Sequence, residues 1–367
     1  MIETGQIINA LSTVIDPISG QNLIERSMVR DLVIEGENVQ FTVELATMDA
    51  PSKSELNFAC IGAIQKIYPN ANVHVHMMGK NMPGNNNPSE KTSSVPQIKN
   101  IIAVASGKGG VGKSTVAVNL ALALRRTGAR VGLIDADLYG PSIPTMLGLQ
   151  GEKPKVQDVY GKPKIVPLQA YGLPVMSLGF IIEPEQAVVL RGPRLAAIIK
   201  QFFQDTIWTD LDYLVVDLPP GTGDVQLTLV QTVPVTGVVL VTTPQEVAVA
   251  DAVKAMNMFL LPSVNVPILG VVENMSWFTP KELPDNKYYL FGEGGGEKMV
   301  ELSNSTLLGK IPLIQGIRES GDSGKPAVEQ EQDDLSKYFM EVAQNTIEQV
   351  TLRNEKQDPT KIVQVKS

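Results

Sequence analysis

Residues 101–114 read Ile101-Ile102-Ala103-Val104-Ala105-Ser106-Gly107-Lys108-Gly109-Gly110-Val111-Gly112-Lys113-Ser114, and this stretch decides the fold. Ile101 to Ala105 is a short apolar run suited to a buried strand. The eight residues from Gly107 match GxxxxGK[ST], and Ser114 to Thr127 is helical in pattern, closing at Gly128. A strand passing through a glycine loop into a helix is the context in which that pattern binds phosphate. Glycines let successive backbone N–H groups turn inward around an anion, and the helix N-terminus adds a positive field. Lys113 is expected to reach the β- and γ-phosphates and the Ser114 hydroxyl to bind Mg²⁺. Gly107 through Thr115 is thus predicted to hold ATP.

Outward from the loop, the same strand-then-helix grammar repeats. Arg130 to Ile134 ends in Asp135, and Leu214 to Val216 ends in Asp217. Gly237 to Val241, Ile268 to Val272 and Leu307 to Ile311 are further buried-strand candidates. Apolar strands alternating with helices predict an α/β fold, a mostly parallel sheet covered by helices on both faces. Polar residues gather at the C-terminal strand ends, where open α/β sheets bind ligands. Residues 149–190, rich in Pro and Gly, read as an insertion. Asp334 to Leu352 reads as a last amphipathic helix.

Upstream, Asn81 to Asn100 is dominated by Asn, Pro, Ser and Gly and reads as a flexible linker. Before it, a short helix near Ile7 to Leu11, strands at Val33 to Ile34 and Val39 to Leu45, a helix over Glu55 to Tyr68 and a strand from Asn72 to Met77 make a small α+β domain. The predicted organisation is a small domain over 1–79, a linker over 80–100, a P-loop domain over 101–352 and a polar tail over 353–367.

Composition narrows the function classes. A chain of 367 residues with 43% hydrophobic and 19% charged residues buries a large core. Its net charge of −8 argues against general nucleic-acid affinity. The longest apolar stretch, Val235 to Val241, is too short to span a bilayer, and Met1 to Gly20 does not read as a signal peptide, so a cytoplasmic location without membrane contact is expected. The single cysteine, Cys60, excludes an intramolecular disulfide and any multi-cysteine metal site within one chain. In Phe58-Ala59-Cys60-Ile61 it reads as a small buried apolar residue. His74 and His76 share one strand face, but two ligands do not complete a metal site.

The acidic residues fit the phosphate loop. Asp217 ends a strand in DLPPGTGD (217–224), where a carboxylate beside a phosphate loop can hold the hydration shell of Mg²⁺. The turn Pro219-Pro220-Gly221-Thr222-Gly223 is placed to sense a γ-phosphate. Asp135 and Asp137 follow another strand in DADLYGPSIP (135–144). Hydrolysis needs a group that orients the attacking water, and a carboxylate on a mobile loop can do so. Asn274, after a buried strand, carries an amide able to pair with the donor and acceptor edges of adenine.

KGGVGKS (108–114), with its second lysine Lys108, resembles the deviant phosphate loop of the MinD/ParA-like ATPases. DADLYGPSIP, RGPR (191–194), DLPPGTGD, ENMSWF (273–278), FGEGGGEK (291–298) and IPLIQGIRESGDSGKP (311–326) together resemble the Mrp/ApbC family of iron–sulfur cluster carriers, from about Ile7 to Tyr338. The resemblance implies a homodimer with two ATPs between subunits, Lys108 crossing to the partner's nucleotide. It assigns water orientation to Asp137, the outer metal shell to Asp135, adenine to Asn274 and packing near the base to Pro312. It also implies iron–sulfur client or scaffold proteins as partners, and likens the N-terminal domain to iron–sulfur assembly factors. One departure stands out: many relatives carry Cys-x-x-Cys shortly after the ENMS segment, and Phe278 to Lys287 has no cysteine. Thiolates are the usual cluster ligands, so any cluster on this protein is expected to depend on Cys60, exogenous thiols or a client's cysteines.

Two other readings stand beside the carrier. One is a client-binding assembly ATPase that holds no cluster. The other is a positioning ATPase of the MinD/ParA type cycling on a membrane or DNA. A nicotinamide dehydrogenase is disfavoured because no G-x-G-x-x-G follows the first strand.

Overall fold

The computed structural model describes residues 2, 4–15, 22–25, 28–36, 38–45, 50–69, 71–79, 95–137, 140–159, 162–181, 192–330 and 333–358. The chain divides into two compact units, residues 1–90 and 91–367.

The first unit contains α1 (Thr4–Leu11), β1 (Val29–Glu35), β2 (Asn38–Leu45), α2 (Ala50–Ile67) and β3 (Asn72–Gly79). β1 and β2 pair antiparallel, while α2 carries the chain across to place β3 parallel to β2. Alternation in β2 sends Val39, Phe41 and Val43 to one face, where Ile7, Leu11, Leu56, Cys60 and Ile64 complete the core.

The second unit is built on an eight-stranded sheet. Its elements are β4 (Ile98–Ala105), α3 (Lys113–Arg126), β5 (Val131–Asp135), α4 (Ile143–Met146), β6 (Lys155–Val159), β7 (Lys162–Val166), β8 (Leu168–Ala170), β9 (Leu173–Ser177), α5 (Gly192–Gln204) and β10 (Leu211–Asp217). α6 (Asp224–Thr232), β11 (Gly237–Thr242), α7 (Glu246–Leu260), β12 (Ile268–Asn274), α8 (Gly295–Ser303), β13 (Leu307–Ile311), α9 (Gln315–Asp322) and α10 (Asp333–Lys356) follow. The strand order is β13-β12-β11-β4-β10-β5-β9-β8. All neighbours run parallel except β8, which joins β9 antiparallel at the edge.

Strand residues alternate between two cores. Ile101, Ala103 and Ala105 of β4 face Phe202, Phe203, Leu229, Met256 and Phe259, from α5, α6 and α7. Ile102 and Val104 face the other way, onto Val116, Leu120 and Leu124 of α3 and Phe339 and Val342 of α10. Each such Leu or Phe, fully buried, contributes about 1.5–3 kcal/mol. Because β4 is central and its C-terminus opens into the glycine loop, that loop lies at the carboxyl edge of the sheet, with β10 and β11 on either side.

Three expectations need correction. The linker expected to reach residue 100 stops short, since Val95 and Ile98 are buried and Ile98 already pairs with Leu211 as the first residue of β4. The P-loop unit therefore starts before residue 101. The expected insertion over 149–190 supplies two strands of the main sheet, β8 and β9, and the separate hairpin of β6 and β7. The last helix runs to Lys356, so the first residues of the expected tail, from Arg353, belong to it. Residues 80–94, 182–191, which include Arg191 of the RGPR motif, and 359–367 lie outside the described residues. No helix among the described residues is long and apolar enough to cross a membrane.

Candidate nucleotide site

The glycine loop leaves β4 at Ala105 and enters α3 at Lys113. Gly110 and Gly112 adopt left-handed backbone angles, φ 82° and 81°. At Gly112 close approach adds a second demand, because a Cβ there would strike the Asn274 amide nitrogen. Asn274, at the end of β12, donates from Nδ2 to the Val111 carbonyl at 2.8 Å and so holds the loop from the opposite side. One of its two N–H donors is thus engaged by the protein, and the second, together with the amide oxygen, is left for a ligand. Ser106 Oγ donates to the Lys108 carbonyl at 3.0 Å.

Lys113 is 6% exposed. Its Nζ lies 2.6 Å from Asp217 Oδ1, 3.3 Å from Ser114 Oγ and 3.6 Å from Asp137 Oδ2. Asp217 is fully buried, and its Oδ2 has no hydrogen-bond partner. Burial pushes the Asp217 pKa up, against the pull of Lys113. Asp135 is also fully buried. Its Oδ1 accepts from the Asp137 amide at 3.1 Å, and its Oδ2 accepts from the Ser177 hydroxyl at 2.9 Å and the Ile143 amide at 3.3 Å. Burial and the neighbouring Asp217 charge push its pKa up to about 8, while the Asp137 amide, Ser177 and Lys113 oppose the rise. Three carboxylates thus stand against one lysine. This carboxyl-rich pocket around a single cation, with an orphaned buried oxygen on Asp217, fits a divalent cation, whose charge would hold the two raised carboxyls ionised. Among the described residues no group of three or more His, Cys, Asp or Glu forms a cage. Mg²⁺ needs none, since it takes one or two protein ligands together with waters and phosphates.

Two adjoining cavities complete the cleft. One, of about 260 Å³, is lined by Lys108, Gly109, Gly110, Lys113, Asp137 and Pro220. The other, of about 340 Å³, is lined by Thr115, Met146, Asn274, Met275, Pro312 and Arg318, among others. Gly112 and Thr115 border both. The structure therefore brings Lys108, Lys113, Ser114, Asp137, Asn274 and Pro312 to one cleft, with the fully buried Asp217 beneath Lys113 and Asp135 bonded to the Asp137 amide. Lys108 is exposed, and among the described residues no carboxylate forms an ion pair with it. Cys60 belongs to the core of the first unit, where burial pushes its thiol up to about 12.

Sequence reasoning missed Ser177, which ends β9 and holds Asp135, and Met146 and Arg318 in the cavity wall. The signal for Ser177 was available: a polar residue closing an apolar run, as Asp135 and Asp217 close theirs.

Residues 97–347 match the family model described as NUBPL iron-transfer P-loop NTPase, and residues 4–76 match one described as iron–sulfur cluster assembly protein. A Synechocystis protein named iron–sulfur cluster carrier protein is 48% identical over 328 residues, spanning 89% of this chain and 92% of its own. Among solved structures, a nucleotide-binding protein of Archaeoglobus fulgidus in complex with ADP is 36% identical, with TM-score 0.57 over 66% of this chain and 93% of its own. The cell division ATPase MinD of Pyrococcus furiosus is 25% identical, with TM-score 0.50 over 68% of this chain and 99% of its own. With a glycine loop, a buried lysine and strand-end carboxylates in one cleft, and these likenesses across both units, the chain belongs to the NUBPL iron-transfer P-loop NTPase family.

Proposed function

We propose that the protein is a Mg²⁺-dependent ATPase that acts as a homodimer in iron–sulfur cluster assembly and delivery. The observation that carries this reading is the buried Lys113 held between Asp217 and Asp137 at the mouth of the glycine loop. On this reading Lys113 leaves Asp217 for the β- and γ-phosphates, and Ser114 and Asp217 hold Mg²⁺. When bound, Mg²⁺ neutralises charge on the phosphate oxygens. Asp135 anchors the loop that carries Asp137, and Asp137 orients the attacking water. The Asn274 amide oxygen accepts from the adenine amino group, and Pro312 packs near the base. The exposed Lys108 stabilises transition-state charge across the dimer, as an arginine finger does.

The delivery role draws on relatives that carry the name iron–sulfur cluster carrier protein. The cluster is cargo, and this chain does not fit it as a resident group. Its one cysteine is 0% exposed, and the segment after Asn274 contains no thiol. Soft thiolates are what such clusters select, so the anchoring sulfurs come from client proteins or small thiols. The acidic balance and the family favour a cytoplasmic carrier or scaffold over a positioning ATPase on DNA or membrane. The test is phosphate release from ATP with and without Mg²⁺. Magnesium-dependent turnover that disappears in Lys113→Ala is expected, and near-normal turnover in that variant would overturn the reading.

A further inference from the structure

Gln226 lies in the first turn of α6, is fully buried, and belongs to none of the motifs that point to phosphate chemistry. Its side chain nevertheless makes three hydrogen bonds into the turn that follows Asp217. Nε2 donates to the Pro219 carbonyl at 2.9 Å and to the Gly221 carbonyl at 3.0 Å, while Oε1 accepts from the Gly223 amide at 2.9 Å. From above, the turn is stitched to the strand and loop that carry the phosphate site. The Leu218 amide donates to the Val104 carbonyl at 3.0 Å, and the Gly221 amide to the Ser106 carbonyl at 2.8 Å.

This accounts for the polar backbone of the turn almost group by group. Pro219 and Pro220 have no N–H, and the amides of Leu218, Gly221 and Gly223 are spent. Among the described residues, the Thr222 amide is the one backbone donor between 218 and 223 without a protein acceptor. Pro220 meanwhile forms part of the wall of the phosphate cavity, beside Lys108 and Gly109. An amide side chain is the one group that supplies two donors and an acceptor at this depth; leucine or methionine would leave two carbonyls and an amide unpaired.

We propose that Gln226 is a positioning residue for phosphoryl transfer: it clamps the Pro219–Gly223 turn so that Pro220 and the uncommitted Thr222 amide stand ready at the γ-phosphate. Gln226 touches neither nucleotide nor metal and acts through the turn. The clamp serves the transition state more than ground-state binding, because the glycine loop itself supplies the amides for the α- and β-phosphates and the turn adds a group only at the γ-phosphate. The inference rests on the ATPase reading above.

The test uses the full-length protein carrying Gln226→Met, which keeps the shape and removes all three bonds, and Gln226→Glu. The glutamate variant retains the acceptor for Gly223 and loses both donors. The expected result is a fall in kcat of at least about tenfold in both, with KM and the affinity for a fluorescent ATP analogue changed by less than about threefold. Gln226→Glu is also expected to recover part of its kcat relative to wild type as pH falls, because protonation restores one donor. A folded variant with wild-type kcat, or one losing kcat and nucleotide affinity in equal proportion, would overturn the proposal. If Gln226→Met does not fold, Gln226→Glu alone decides by the same criteria. Absence of ATP hydrolysis in the wild type would instead refute the ATPase reading, so the two failures are distinct.

Discussion

Lys113 answers to two competing partners. Without nucleotide it neutralises Asp217, whose carboxylate is wholly buried. On the proposed function, phosphate would draw it away and leave Asp217 to the metal. Lys113→Ala removes a charge-assisted contact worth about 1.5–3 kcal/mol, so ATP affinity is expected to fall at least about tenfold and hydrolysis to disappear. Titration with a fluorescent ATP analogue and a phosphate-release assay measure the two. Asp137→Asn keeps the shape and loses the charge. It is expected to bind Mg-ATP within about threefold of wild type and to turn over at least about a hundredfold more slowly. Equal losses of binding and turnover would make Asp137 a metal-site residue instead. That these side chains meet is legible from sequence because the glycine motif and the strand-end carboxylates are local patterns. The commitment of the Asn274 donor to Val111 is not, since the two lie 163 residues apart. Nothing in the local sequence says that an amide able to read a base spends one of its two hydrogens on the protein.

At the scale of elements, the glycine loop and β12 behave as one part. Gly110 and Gly112 share left-handed angles, but a Cβ at Gly110 meets open space, whereas at Gly112 it runs into Asn274. Gly110→Ala is expected to cost about 1–2 kcal/mol of backbone strain alone. Gly112→Ala carries the same strain, displaces Asn274, and should be more destabilising and lose most ATP affinity. Thermal unfolding and nucleotide titration of both variants check the order, and equal effects would contradict the packing described. β11 covers the apolar run Gly237 to Val241 and adds only Thr242, because a fully buried parallel strand shows as a continuous hydrophobic stretch. β8 and β9 were hidden for the opposite reason. They are three and five residues long, and Pro174 interrupts the second. Such short segments depend on neighbours for their pairing, β9 on β5 and β8 on β9, and give little periodicity of their own. The start of β4 at Ile98 was masked by its polar neighbours Gln97, Lys99 and Asn100, and only pairing with β10 identifies it.

For the molecule as a whole, the proposed dimer and its cargo each make a distinct prediction. If Lys108 acts across the dimer, neither Lys108→Ala nor Lys113→Ala hydrolyses ATP alone. A mixed dimer then contains one intact composite site, and equal mixing should restore about a quarter of wild-type turnover. No gain over the separate variants would remove support for the trans role. The cargo question turns on Cys60, the only thiol in the chain. Its burial and raised pKa make a thiolate at neutral pH rare, and native protein is expected to resist thiol-modifying reagents that label it rapidly once unfolded. Anaerobic reconstitution of wild-type and Cys60→Ser protein, with iron and sulfide counted per dimer and visible absorption recorded, with and without an added cysteine-bearing apo-client, tests the central claim most directly. The account predicts no stable stoichiometric cluster on either protein alone, and cluster absorption that requires the client's thiols. A stable, stoichiometric cluster on Cys60→Ser protein without a client or added thiol would contradict it.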